Sequence, residues 1–170
     1  MGPGGRAVAA RAVRPRPDGA PSVPPATMGI MSRRTRRPRP TSPTPASCPC
    51  GLPAAYADCC GRLHRGQTRA TTAEQLMRSR YSAFAVGDEA YLLHTWHPTT
   101  RPPGAGLDPA PRWVRLEILG TTEGSAFHTT GTVEFRAHYT QGGRAGSLHE
   151  NSRFVRHEGD WVYLDGVTAD

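Results

Sequence analysis

Val133-Glu134-Phe135-Arg136-Ala137-His138-Tyr139 alternates apolar or aromatic residues with polar or charged ones at every step. A period of two belongs to a strand with one face on a core and one in water. The alternation also runs upstream, where Val114, Leu116 and Ile118 interleave with Arg115 and Glu117. Downstream, Gln141-Gly142-Gly143 reads as a turn, and a third run extends from Ser147 to Arg156. In that run Leu148 and Phe154 share their parity with Glu150 and Ser152. Turning the two apolar residues to the core therefore turns Glu150 there as well. His157-Glu158-Gly159-Asp160 makes the next turn, and Trp161 to Asp165 the last strand.

The period changes to that of a helix further upstream. Thr71-Thr72-Ala73-Glu74-Gln75 offers a capping box in either of two registers, Thr71 with Glu74 or Thr72 with Gln75. Met77, Tyr81 and Phe84 follow at i, i+4 and i+7, with Ala73 and Leu76 extending the stripe. Gly87 suits a helix terminator, and Asp88 an N-cap for a second helix that must stop before Pro98. Helices first and antiparallel strands after them define an α+β fold. Residues 101–111, with Pro102, Pro103, Pro109 and Pro111, form the joining loop.

An acid on a core face needs a partner or a wet cavity. Two readings of Glu150 compete. One is a buried ion pair with Arg78, Arg80 or Arg153 that fixes helix to sheet. The other is a pocket in which Glu150 is a general base or hydrogen-bond acceptor, lined by Trp96, His97 and Tyr81. Arg78 and Arg80 themselves, with Ser79 and Ser82 around them, read as a solvated helix face. His97, beside Trp96 and before Pro98, reads as a packed helix terminus, with a catalytic base as the competing role.

All four cysteines fall between positions 48 and 60, as Cys48-Pro49-Cys50 and Cys59-Cys60. A vicinal Cys59–Cys60 disulfide would be strained, and a Cys48–Cys50 bridge is little better. Two short thiol pairs brought together by one turn suit a tetrahedral ion, Zn²⁺ or alternatively iron. His64 stands four residues after Cys60 as a substitute ligand. Four cysteines close the coordination sphere, which favours a structural or docking site over a catalytic one.

The chain has 170 residues and a net charge of +7, and every one of its 21 basic residues is Arg. Residues 1–47 hold 10 of the 17 Pro, 9 of the 21 Arg, one of the 14 acids and no aromatic residue. Such a stretch cannot bury enough apolar surface to offset chain entropy, so a disordered tail is expected. Arg33, Arg34, Arg36, Arg37 and Arg39 would give it at most weak, salt-dependent nucleic-acid binding. No apolar stretch follows Arg33-Arg34 to make an export signal, and none is long enough for a membrane span, so a cytoplasmic location is expected.

Cys48-Pro49-Cys50-Gly51 through to Cys59-Cys60-Gly61 resembles the SEC-C motif, the short metal-binding element at the C-terminus of the SecA translocation ATPase. Cys60 stands where SecA-type tails carry His, and Leu52-Pro53 where Ser-Gly often follows. From Cys48 onward the chain resembles the YchJ-like family of uncharacterised bacterial proteins. The resemblance rests on that motif and on Leu76-Met77-Arg78-Ser79-Arg80-Tyr81-Ser82-Ala83-Phe84, Thr95-Trp96-His97-Pro98, His149-Glu150, Ser152-Arg153-Phe154, Trp161 and Asp165-Gly166. It implies an NTF2-like domain, a curved antiparallel sheet wrapped round helices as a cone, often with a pocket. The expected organisation is a tail over 1–47, a SEC-C-like motif over 48–66 and an NTF2-like domain over 70–168.

That fold hosts enzymes and binding proteins alike, so function must come from the site. The reading favoured here is a metal-binding adaptor. In it the cysteine motif presents Arg62, His64 and Arg65 to a protein or ribosome-associated partner. The alternative is small-molecule binding or acid/base catalysis in the cone pocket.

Overall fold

The computed structural model describes residues 44–169. Residues 1–43, most of the stretch expected to form a disordered tail, lie outside the described residues. The first turn of helix is a 3-10 segment at Tyr56–Asp58, followed by α1 (Cys60–His64), α2 (Ala73–Val86) and α3 (Glu89–His94). The strands β1 (Arg112–Glu123), β2 (Thr130–Gln141), β3 (Arg144–His157) and β4 (Asp160–Thr168) come after them. They form one antiparallel sheet in the order β1-β2-β3-β4. Among the described residues no helix is long and apolar enough to cross a membrane.

Sequential pairing follows from the turns. Gly142 and Gly143 both take positive φ (57° and 77°) between β2 and β3. Two consecutive residues of this kind match the twist of the flanking strands. β2 then buries Val133, Phe135 and Ala137 on one face, as its alternation dictates. Opposite them in register stand Ser152, Glu150 and Leu148 of β3, so the expected parity of Glu150 holds.

The phase of β1 differs from the expected one. Register shifts occur between Trp113 and Arg115 and between Ile118 and Gly120. An extra residue at such a bulge swaps the faces of everything on one side of it. Trp113 therefore packs against the core, while Val114, expected inside, is 60% exposed.

Helix α2 is the centre of the domain. Thr72 is its N-cap, accepting from the Gln75 N–H at 3.1 Å, so the second capping register is the one used. The Gln75 carboxamide oxygen in turn accepts from the Thr71 N–H at 2.7 Å. Gly87 closes the helix in the left-handed conformation, and Asp88 caps α3 by accepting from the Tyr91 N–H. One face of α2, with Ala73, Leu76, Met77 and Tyr81, packs on Leu116, Val133, Phe135, Phe154 and Trp161 of the sheet. Burying each large apolar side chain there contributes about 1.5–3 kcal/mol. A flank of α2 is also covered: Ala83 packs with Leu63 of α1 and Tyr91 and Leu92 of α3.

This second covering corrects the reading of Arg80 as part of a solvated face. Its side chain is buried, with only 4% of the residue exposed. Nη1 donates to the Leu92 carbonyl and to Thr95 Oγ1, both at 2.8 Å. The guanidinium lies over the rings of Trp96 (5.1 Å) and Tyr163 (4.6 Å). Burial holds the Arg80 pKa down at about 10, still far above neutrality, so the group stays charged. The segment after α3 then runs along the sheet edge. Tyr163 donates its N–H to Thr95 O, and His97 donates its N–H to Tyr163 O. These bonds cover part of the β4 edge.

Candidate metal centre

The cysteine segment folds on itself before α1 begins. Cys48 donates its N–H to Ala54 O, and Gly51, at φ 85°, donates to Cys48 O, so the first pair sits in a tight loop. The Tyr56–Asp58 turn then delivers Cys59 and Cys60, the latter as the first residue of α1. Gly61 must be glycine for this packing: a Cβ there would lie 2.6 Å from the Tyr56 carbonyl oxygen.

The loop brings all four sulfurs within 4.8 Å of one another. Cys50 Sγ lies 3.6 Å from Cys59 Sγ, and Cys59 Sγ lies 4.0 Å from Cys60 Sγ. A tetrahedral ion with metal–sulfur bonds of about 2.3 Å sets its sulfurs about 3.8 Å apart. The donors therefore fit such an ion in number, chemistry and spacing. None of the four is in a disulfide. Cys48, Cys50 and Cys60 are buried, and Cys59 is half-buried.

The electrostatics point the same way. Cys48 is held far below the ordinary thiol range, chiefly by the hydrogen bond from the Cys50 thiol and then by that from Cys60. Cys50 is pushed up to about 12, mainly because it donates to Cys48. Cys60 is pushed up too, by its bonds to Cys48 and Cys50 and by burial. The Cys48 thiolate is thus favoured, while loss of the proton is opposed at Cys50 and Cys60. A cation is what allows all four to lose their protons.

The cluster is docked on the back of α2. Arg78 Nη1 donates to the Cys50 carbonyl at 3.0 Å while its Nε pairs with Glu74 at 2.8 Å. Ser82 Oγ lies 3.8 Å from Cys48 Sγ. The sequence reading missed both as site residues; their only signal is helical spacing on the side of α2 away from the sheet. His64, considered as a substitute ligand, is engaged elsewhere. Its Nε2–H donates to Ser79 O at 2.9 Å, and its Nδ1 accepts from the Tyr56 hydroxyl at 2.7 Å. Burial lowers its pKa, which keeps the ring neutral. It therefore also drops out of the expected basic surface, leaving Arg62 and Arg65.

The four pocket candidates do not converge. Tyr81 is a core residue, packed edge-on against Trp113 at 5.9 Å, and burial raises its phenol to about 12. His97 ties its Nδ1 to Thr99 Oγ1 at 2.7 Å and packs its ring on His157, as expected of a hydrogen-bonded terminus. Glu150 accepts from Ser152 Oγ and from the Tyr163 hydroxyl at 3.4 Å. The ion pair expected for it with Arg78, Arg80 or Arg153 is not formed. Arg78 is taken by Glu74, Arg153 by Asp165, and Arg80 by carbonyl, hydroxyl and ring partners. Of the four, Trp96 alone lines the cleft of about 740 Å³ that lies between α3, the segment after α1 and the β3–β4 turn. The apolar residues of α2 occupy the space against the sheet where the expected pocket would have been.

Comparison with known proteins places this arrangement. The family model described as YchJ, middle NTF2-like domain, matches residues 72–166. The chain belongs to the YchJ family. A UPF0225 protein of Streptomyces avermitilis is 64% identical over 137 residues, covering 79% of this chain and 95% of that protein. One from Streptomyces coelicolor is 62% identical over 128 residues, covering 75% and 99%. Among solved structures, a SEC-C motif containing protein from Rhodopseudomonas palustris is similar in fold to this chain with a TM-score of 0.63 at 35% identity, covering 72% of this chain and 98% of that one. A SEC-C motif containing protein from Psychrobacter arcticus is similar at 0.59 and 28%, covering 76% and 85%.

Proposed function

We propose that Cys48, Cys50, Cys59 and Cys60 bind Zn²⁺ in a closed structural site. The loaded motif then serves as a docking surface for a protein or ribosome-associated partner in the cytoplasm. The observation that carries the reading is the convergence of four unbridged sulfurs, three of them buried, within 4.8 Å. Zinc, borderline-soft and without geometric preference of its own, suits four thiolates and needs no further ligand. With no open coordination position the ion organises the chain rather than activating a substrate. The exposed Gly51–Ala55 loop beside it, with Arg62 and Arg65, is the surface offered. Persistent thiolates also call for a reducing compartment.

Titration of the reduced, metal-free chain with Co²⁺ tests the coordination. Intense visible absorption of a tetrahedral tetrathiolate, saturating at one equivalent and displaced by Zn²⁺, is expected. Weak octahedral bands would contradict it. Capture of binding partners by the wild type and by a Cys48→Ser/Cys50→Ser variant tests the docking role, which identical partner sets would refute.

A further inference from the structure

The cleft of about 740 Å³ is separate from the cysteine cluster, and the proposed function makes no use of it. Three parts of the chain build it: the segment after α1, the α3 region through Arg101, and the β3–β4 turn. Its walls are held in place from behind. Trp161 Nε1 donates to Thr71 O at 3.1 Å, Arg69 pairs with Asp160, and Arg80 stacks behind Trp96. Such bracing keeps a site formed before its ligand arrives.

Several hydrogen-bonding groups at the α3 end lack strong partners among the described residues. Among the described residues the Arg101 side chain bonds only the Leu93 carbonyl, at 3.4 Å, and has no acidic partner. Among the described residues the His94 side chain makes no hydrogen bond, and His157 packs its ring against His97. Trp96 Nε1 is buried with no acceptor among the described residues. Of the acids in the lining, Asp160 is paired with Arg69, and Asp88 caps α3 while keeping its charge. Glu158, in the turn, is the acid left over. Half-buried Trp96 supplies apolar ring surface beside these groups, with the buried Tyr91 and Trp161 behind it.

We infer that this cleft is a second binding site, for a small planar aromatic oxyanion, carboxylate or phosphate. The ring lies against Trp96 and the anionic group meets Arg101, His94 and His157. A guanidinium recognises an oxyanion through charge-assisted bonds in its own plane, and each imidazole adds an N–H donor. The site does not depend on the metal reading.

The full chain, isotope-labelled and assigned by NMR, is titrated with benzoate, phenyl phosphate, benzamide and benzylamine. Saturable shifts at His94, Trp96, Arg101 and His157 are expected with benzoate or phenyl phosphate, at a dissociation constant on the order of millimolar for so small a probe. The Trp113 indole, outside the cleft, stays put. Arg101→Gln, at an exposed position, should weaken binding by about tenfold or more; His94→Gln is the second variant and should weaken it in the same direction. The stronger of the two anionic arms shows which oxyanion is preferred. Equal or tighter binding of benzylamine, shifts that never saturate, or unchanged affinity in both variants would overturn the proposal.

Discussion

Arg78 joins two parts of the molecule: its guanidinium donates from the middle of α2 to the carbonyl of Cys50, 28 residues earlier, at 3.0 Å. The cysteine loop is thereby fastened to the helix that organises the domain. Arg78→Ala should release it, costing about 1.5–3 kcal/mol for a charged hydrogen bond lost and loosening the metal. Chelator competition should show faster metal transfer from the variant. Transfer at the wild-type rate would mean that the loop is held by other contacts.

Gly61 sits where any side chain meets the Tyr56 carbonyl. Gly61→Ala should therefore push the 3-10 turn away from α1 and destabilise the motif by about 1–3 kcal/mol. Arg62→Ala, next along the chain and exposed, is the control and should be near neutral. Denaturant melts of the two, run beside metal stoichiometry, separate packing from charge.

His64 gives a pH signature. Its folded pKa lies below the ordinary histidine value because the ring is buried. The unfolded chain therefore binds the proton first. Its contribution to stability is fully present above about pH 6.5 and is lost as pH falls from there through the folded pKa. Wild type should lose more stability between pH 7 and pH 5 than His64→Gln does. The slopes are compared rather than the absolute values, since the variant also loses two hydrogen bonds. Equal slopes would show that the ring titrates normally.

Arg80 is buried among neutral acceptors and two aromatic rings. A lysine cannot both stack flat and reach the Leu92 carbonyl and Thr95 hydroxyl. Arg80→Lys should cost about 1–3 kcal/mol, read by thermal or chemical unfolding, whereas the same change at exposed Arg115 should be nearly silent.

The alternation in β2, the glycine turns, the Thr72 cap and the cysteine spacing were each legible because the information is local. What escaped was long-range. The bulge in β1 that turns Trp113 inward and Val114 outward is set by pairing with β2, not by composition. The burial of Arg80 depends on α3 folding back over α2, which helical periodicity alone does not reveal. Glu150 was placed on the correct face, yet its partners, Ser152 and Tyr163, come from its own strand and from β4 rather than from an arginine. The cysteine quartet was legible because its spacing is a chemical pattern; the cleft was not, because its walls come from three distant segments.

Elemental analysis of freshly purified protein, prepared without metal-leaching resin, bears most directly on the whole account. One equivalent of zinc per chain in the wild type, and its loss in the Cys48→Ser/Cys50→Ser variant, is the expected result. Wild-type protein carrying well under one equivalent of any thiophilic metal, or a double variant that keeps its metal, would contradict it.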